Sequence, residues 1–288
     1  MKHLFLIVAL ASALATCGWS QAVVQTAAPA PSQSTAPVST PKNIPGNDNE
    51  NARKARALID ESIKALGGQA FLDIHDIQEQ GRTYSFYHGR PTSNGIFFWR
   101  FVEFPNAERI ELTPQRDVAY VYAADKGYEI TYKGARAVEK KDLDDYLRHR
   151  RLSLDAMLRV WKSDPTVALF YDGEALAGSL AAEKVTLINS KDEAVSLYFD
   201  ADTHLPIKKS YSWRDPVDKE RNTEEETYDN YRPVQGIMTP YGFTRYFNGD
   251  MQTERFLNSI SYNKGLDEAM FNPNSGYNPN KPTGKHQK

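Results

Sequence analysis

The sequence predicts an α+β fold in which helices cover a large curved antiparallel sheet, a half-barrel. Aromatic side chains favour half-buried pleated surfaces, and they make up 11% of the 288 residues. Apolar residues alternate along one short segment after another between residues 77 and 262, which is the period of strands. The joints between these segments are short, and short joints connect antiparallel neighbours.

A first helix is predicted by apolar residues at helical spacing, which are Leu58, Ile59, Ile63 and Leu66. Asp48 or Asn49 is suited to cap its N-terminus, because a short polar side chain can accept a hydrogen bond from the first turn. Gly67 and Gly68 follow the last apolar residue and predict its end.

Residues 140–162 interrupt the strand pattern and predict one or two further helices. Their apolar residues recur three and four apart, and are Leu143, Tyr146, Leu147, Leu154, Met157, Leu158 and Trp161. Ser153 is suited to cap a second helix. The basic stretch Arg148–Arg151 would then lie at the joint, either as a site for a phosphate or lipid headgroup or, more commonly, as a solvated face.

Strands are predicted before and after this helical segment. Their alternating residues include Phe97, Trp99 and Phe101; Val118, Tyr120 and Tyr122; Tyr128, Ile130 and Tyr132; Val185 and Leu187; Val195, Leu197 and Phe199. Between two later strands, Asp200, Asp202 and Thr203 are turn formers, and Pro206 opens the second strand. The acidic run Glu224–Glu226 is interpreted as a solvated sheet edge that discourages aggregation.

The N-terminus has the pattern of an export signal, with a basic start followed by an apolar run from Leu4 to Ala15. We expect a signal peptide over residues 1–22 with a cut after Ala22, or else lipidation of Cys17, since the residues before it resemble a bacterial lipobox. The protein is then exported, either to the periplasm or to an envelope membrane through a lipid anchor. Any other membrane contact should be peripheral.

Composition divides the remainder into three parts. Residues 23–48 are rich in Pro, Ala, Ser and Thr, which predicts a disordered linker. Residues 49–272 form the predicted half-barrel domain, and residues 273–288 form a polar tail that we expect to be flexible.

Charge and motifs exclude several classes of function. A formal net charge of -2 gives no electrostatic reason to expect nucleic acid as a partner. No nucleophile, phosphate-loop or dinucleotide motif is present in the predicted mature chain, and the histidines lack the spacing of a helical zinc site. Asp200 and Asp202 lack the Gly and Glu that complete a calcium loop. We therefore expect neither catalytic activity nor a cofactor or metal.

The order of several motifs resembles the outer-membrane lipoprotein carrier and lipoprotein-sorting family over residues 50–272. The motifs are Ala65-Leu66-Gly67-Gly68, the segment from Val195 through Leu205-Pro206, Asp229 through Gly236 with Pro240, and Asp267 with Phe271. The resemblance implies an incomplete β-barrel with a helical lid and an apolar cavity. Related folds include lipid-binding lipoproteins and an envelope-stress sensor.

Two functions are consistent with this resemblance. The first is a carrier that binds a lipid, a lipoprotein acyl chain or another amphiphile in an apolar trough. The second is an envelope protein-interaction or stress-sensor module with a solid core and no ligand. For the carrier, we predict that the trough and its lid are lined by Phe97, Trp99, Phe101, Tyr120, Tyr122, Leu154, Met157, Leu158, Trp161, Tyr211, Trp213, Phe243 and Phe256. Of these, Leu154, Met157, Leu158 and Trp161 are predicted to form the apolar side of the lid.

Overall fold

The computed structural model describes residues 49–92 and 94–278. The predicted signal peptide, the lipidation candidate Cys17 and the predicted linker lie outside the described residues. Within them, the predicted fold class is confirmed, since the chain forms one large antiparallel sheet with a few helices.

The first helix, α1 (Glu50–Leu66), has the predicted boundaries. Asn49 rather than Asp48 caps it, because the Asn49 side chain accepts a hydrogen bond from the Ala52 N–H at 2.7 Å. The helix ends at Gly67, whose φ of 124° disfavours any residue with a side chain. A Cβ there would also lie 2.5 Å from the carbonyl oxygen of Gly236. A short helix α2 (Gln69–Leu72) follows.

The strands before the central helices are β1 (Asp76–Tyr87), β2 (Arg90–Pro91), β3 (Ile96–Glu103), β4 (Ala107–Leu112), β5 (Val118–Ala123), β6 (Lys126–Thr131) and β7 (Gly134–Ala137). Those after them are β8 (Ala168–Ala177), β9 (Leu180–Ile188), β10 (Ala194–Asp200), β11 (Pro206–Arg214), β12 (Arg221–Asp229), β13 (Arg232–Val234), β14 (Ile237–Thr239), β15 (Gly242–Phe247) and β16 (Asp250–Tyr262).

In the described part of the chain, 14 of these strands form one sheet with the order β7-β6-β5-β4-β3-β1-β16-β15-β12-β11-β10-β9-β8, and β2 pairs with β1. The first and last strands of the domain therefore meet at its centre, where β1 pairs with β16. Strands β13 and β14 form a separate hairpin.

The strand registers separate the two faces of the sheet. We call the face that carries Val185, Leu187 and Leu197 the inner face, because these side chains pack with α1 in one apolar core. The opposite face is the outer face. Residues paired across neighbouring antiparallel strands share a face. The registers therefore assign every paired strand residue to the inner or the outer face.

The central segment forms two helices, α3 (Lys140–Arg151) and α4 (Leu154–Arg159), followed by a 3-10 helix at Trp161–Ser163. As predicted, Ser153 caps α4, and its hydroxyl accepts a hydrogen bond from the Ala156 N–H at 3.1 Å. The hairpin between β10 and β11 is also confirmed. The Asp200 carboxylate accepts a hydrogen bond from the Thr203 N–H at 2.8 Å, and Pro206 is the first residue of β11.

The interpretation of Arg148–Arg151 as a solvated face was wrong. The Arg148 guanidinium lies 4.0 Å from the centroid of the Trp213 ring, and Arg150 donates to the carbonyl of Ala124 at 2.7 Å. Arg151 pairs with Glu193 at 3.1 Å. These side chains attach α3 to the sheet and its turns, because the helix has polar groups where an apolar face would otherwise pack.

The apolar core predicts a contrast between two leucines of β9. Leu187 is fully buried, whereas Leu180 is 51% exposed. Leu187→Ala should lower the free energy of unfolding by about 2–5 kcal/mol, since it leaves a cavity in a closed core. Leu180→Ala should change it by less than about 0.5 kcal/mol. Urea unfolding measures both, and equal effects of the two substitutions would contradict the described core.

Candidate functional site on the inner face

The inner face is divided into three regions. The first is a closed apolar core beneath α1 and α4. The second, which we call the charged belt, consists of ionisable side chains on β1, β3, β4, β11 and β12 together with side chains of α3. The third, which we call the open patch, is a separate apolar cluster on β3, β4, β5, β15 and β16.

The closed core contains all four residues predicted to form the apolar side of a lid. Met157 and Leu158 are 0% and 1% exposed, Trp161 is buried, and Leu154 is partly buried against them. Tyr211 belongs to the same cluster and Trp213 packs against it. These six residues lie together, but they fill the core rather than line a space.

The charged belt is organised around Arg100, which lies between two carboxylates. Its guanidinium contacts Glu108 at 2.6 Å and Glu79 at 3.2 Å. Burial opposes ionisation of Glu108, but the attraction and hydrogen bond of Arg100 outweigh it, so that the pKa of Glu108 is lowered. Tyr146 of α3 also donates to Glu108 at 2.8 Å, and its ring stacks on that of Tyr122 with centroids 3.5 Å apart.

The acidic run of β12 belongs to the same belt, and its interpretation as a solvated edge was wrong. Strand β12 lies between β11 and β15, so it is no edge. Glu224 and Glu226 face inward. Glu224 contacts His149 of α3 at 2.7 Å, and Glu226 contacts Lys209 at 3.0 Å. Glu225 faces outward and pairs with Lys208.

The open patch combines buried apolar side chains with apolar side chains that remain partly exposed. Its buried members are Phe98, Leu112 and Leu257. Its partly exposed members are Ile96, Ile110, Val118, Tyr120, Tyr241, Phe243 and Ile260. The strand registers place them side by side, because Ile110 is opposite Tyr120, and Phe98 is opposite both Leu112 and Gly81.

The predicted trough residues are therefore distributed over both faces. Tyr120 and Phe243 lie in the open patch, and Tyr122 lies beside the charged belt. Phe97, Trp99, Phe101 and Phe256 lie on the outer face, so they cannot line one trough together with Tyr120 and Phe243.

Of the open patch, the sequence predicted only Tyr120 and Phe243 as site residues. It missed Ile96, Phe98, Ile110, Leu112, Val118, Tyr241, Leu257 and Ile260. The sequence contained a signal for two of these residues, because Ile96 and Phe98 alternate along β3 with the predicted site residues Phe97, Trp99 and Phe101.

Arginine side chains and the C-terminal 3-10 helix pack on part of the outer face. The Arg116 guanidinium lies 5.2 Å from the Trp99 ring and 5.7 Å from that of Phe101. Buried Glu111 pairs with Arg109 at 2.6 Å, and Arg109 donates to the carbonyl of Met270 at 3.0 Å. Because the 3-10 helix at Glu268–Phe271 packs against β4 and β5, this part of the outer face is already occupied.

Two open depressions occur elsewhere on the domain. One, of about 650 Å³, is formed by β8 and β9 with Ala201, and the other, of about 280 Å³, lies between α1 and the same strands. Neither is lined by a residue of the predicted trough or of the open patch. Among residues 49–92 and 94–278, there is no cluster of three metal-ligating side chains, and no helix has the length and apolarity to cross a membrane.

Solved structures of other proteins share this fold. A DUF1329 family protein from Desulfovibrio piger is 12% identical and superposes with a TM-score of 0.54 over 75% of this chain and 96% of its own. A putative outer membrane lipoprotein-sorting protein domain from Vibrio parahaemolyticus is 10% identical, with a TM-score of 0.50 over 77% of this chain and 97% of its own. The fold resemblance predicted from the sequence is thereby confirmed.

The two comparisons by sequence found no match to this chain. No protein-family model matches the chain, and no curated protein matches it. At 10–12% identity, the two structural similarities show a common fold.

The charged belt predicts a pH-dependent stability. Burial raises the pKa of Glu226, but Lys209 and Arg255 outweigh burial and lower it to about 2. The stabilising contribution of ionised Glu226 is therefore present above its ordinary pKa of about 4.3 and is lost as the pH falls toward about 2. In Glu226→Gln this contribution is absent at every pH.

The free energies of unfolding of wild type and Glu226→Gln should therefore converge as the pH is lowered from about 5 to about 3. Lys209→Met removes the other partner and should show the same convergence. Urea unfolding at fixed ionic strength measures these differences. A constant difference between wild type and both variants over this range would contradict the assignment.

Proposed function

We propose that this protein is an exported envelope protein that holds the acyl chain of a lipid or lipoprotein on the open patch of its inner face. The chain would lie across β3, β4 and β5 and contact β15 and β16. The open patch is the observation that carries the proposal, because partly exposed apolar side chains lie there around buried ones, on the same face as a closed core and a belt of paired charges.

The physical driving force is the removal of apolar surface from water. Burial contributes about 25 cal/mol per Å², or about 0.8 kcal/mol for each methylene. Aliphatic and aromatic side chains such as Ile110, Val118 and Phe243 provide this contact without specific hydrogen bonds. Affinity should therefore depend on the length of the ligand chain more than on its chemical details.

Two further observations support the proposal. The fold is shared with a protein whose name describes lipoprotein sorting, and the N-terminal pattern predicts export. Several ionisable groups of the inner face have ionic partners within the protein, as Arg100 has in Glu79 and Glu108 and as Lys209 has in Glu226. Such pairs stabilise the fold, and we therefore assign binding rather than catalysis to this face.

One observation favours the second candidate, an envelope interaction or stress-sensor module with a solid core. The lid residues Met157 and Leu158 are fully buried in the closed core, so that part of the inner face has no room for a ligand. In this alternative the open patch would bind a segment of a partner protein rather than a free amphiphile.

The binding proposal predicts a dependence on chain length. The affinity of the protein for 1-hexanol, 1-octanol and 1-decanol, measured by isothermal titration calorimetry, should increase roughly fourfold for each added methylene. Neutral alcohols are suitable probes because they report the apolar contact alone. Val118→Asp places a charge in the patch and should abolish the increase.

The matched control is Val217→Asp, because Val217 lies in an exposed turn far in sequence from the patch strands and is 88% exposed. This variant should bind like the wild type. Far-UV circular dichroism verifies that both variants are folded. If the folded wild type binds none of the alcohols, or if chain length has no effect, the interaction module becomes the better account.

A further inference from the structure

We propose that the open patch selects acyl lipids with an anionic headgroup, a carboxylate or a phosphate, and that Arg255 binds this headgroup. The inference rests on the proposed function, and it adds the charge of the ligand and the residue that recognises it. It follows from the position of Arg255 in the patch and from its lack of an ionic partner.

Arg255 lies on the inner face in the middle of the sheet. On β16 it is paired with Thr83 of β1 on one side and with Phe243 of β15 on the other. Its guanidinium carbon is 4.2 Å from the centroid of the Phe243 ring and 5.8 Å from that of Phe98. Both rings belong to the open patch, so the charge lies directly beside the apolar surface proposed for the acyl chain.

The other inner-face cations are already paired. Arg100 binds Glu79 and Glu108, and Lys209 binds Glu226. Arg245 lies 4.0 Å from Glu224. The Arg255 side chain, in contrast, has no ion pair or hydrogen bond with any residue that the structure describes, and its Nε atom is buried without a hydrogen-bond partner.

The two carboxylates whose pKa values Arg255 lowers make their hydrogen bonds to other residues. Glu226 accepts hydrogen bonds from Lys209 and Tyr228, and Glu108 accepts them from Arg100 and Tyr146. Their negative charge acts on Arg255 at longer range. The terminal N–H groups of the Arg255 guanidinium are therefore free to donate hydrogen bonds to an incoming anion.

The chemistry of guanidinium fits this role. A guanidinium is always charged and presents N–H donors in a planar fork that matches a carboxylate or a phosphate. The contact with Phe243 fixes the side chain and lowers the entropy lost on binding. Because Arg255 is partly exposed, an anionic headgroup can reach it while the acyl chain contacts Ile110 and Val118.

The test compares two ligands of equal chain length, decanoate and 1-decanol, by isothermal titration calorimetry with the purified protein near neutral pH. Arg255→Gln removes the charge while keeping a polar side chain of similar reach. It should weaken decanoate binding by about tenfold, since a charge-assisted hydrogen bond is lost, and it should leave 1-decanol binding within about twofold.

Arg82→Gln is the matched control. Arg82 lies 4.1 Å from the Phe97 ring centroid, so it makes the same kind of ring contact, but it faces outward from β1. This variant should bind both ligands like the wild type. Arg255→Lys retains the charge and should keep most of the preference for decanoate, which separates charge recognition from a structural role.

The outcomes distinguish this inference from the proposed function. If wild type binds 1-decanol and decanoate, and Arg255→Gln weakens both ligands equally or neither, headgroup recognition by Arg255 is wrong while the acyl site stands. If neither ligand binds the folded wild type, both proposals fail. If Arg255→Gln does not fold, Arg255→Met takes its place, because it also removes the charge. A selective loss of decanoate binding in folded Arg255→Met supports the inference, and an unchanged preference for decanoate overturns it.

Discussion

The pairing of charges on the inner face is the constraint on which the rest of the structure depends. A carboxylate or guanidinium beneath a helix is tolerated only when it is paired and hydrogen-bonded. Arg100 is the ionic partner of both Glu79 and Glu108. Helix α3 has no buried residue, and it is attached to the sheet largely through Tyr146, His149 and its arginines. Polar contacts therefore set the position of α3.

That position explains why the inner face has two unlike apolar regions. Helices α1 and α4 cover one region, in which side chains such as Met157 and Leu187 are fully buried and stabilise the fold. The other region lies beyond the charged belt, and its apolar residues remain partly exposed. In the proposed function, an acyl chain contacts the second region and leaves the closed core intact. Arg255, between the belt and the open patch, adds a charge whose side chain has no direct ion pair among the residues that the structure describes.

Local sequence signals predicted the elements of the fold well, because capping, turn chemistry and periodicity act over a few residues. The cap at Ser153, the end of α1 at Gly67 and the hairpin before Pro206 are examples. The candidate site was predicted poorly. Alternation shows that Phe97, Trp99 and Phe101 share a face, but the choice of face depends on pairing with β1 and β4. The position of Glu224–Glu226 was mispredicted for a similar reason, because only the strand order shows that β12 is an internal strand and not an edge.

The central claim is that the open patch receives the alkyl chain of an amphiphile. Methyl-labelled protein titrated with 1-decanol tests it most directly, through intermolecular nuclear Overhauser effects between the alkyl chain and individual methyl groups. The account predicts contacts to Ile96, Ile110, Leu112 and Val118, and none to the exposed Leu176 and Leu180 of the β8–β9 hairpin. Contacts confined to that hairpin, or none to the patch at saturating ligand, would contradict it.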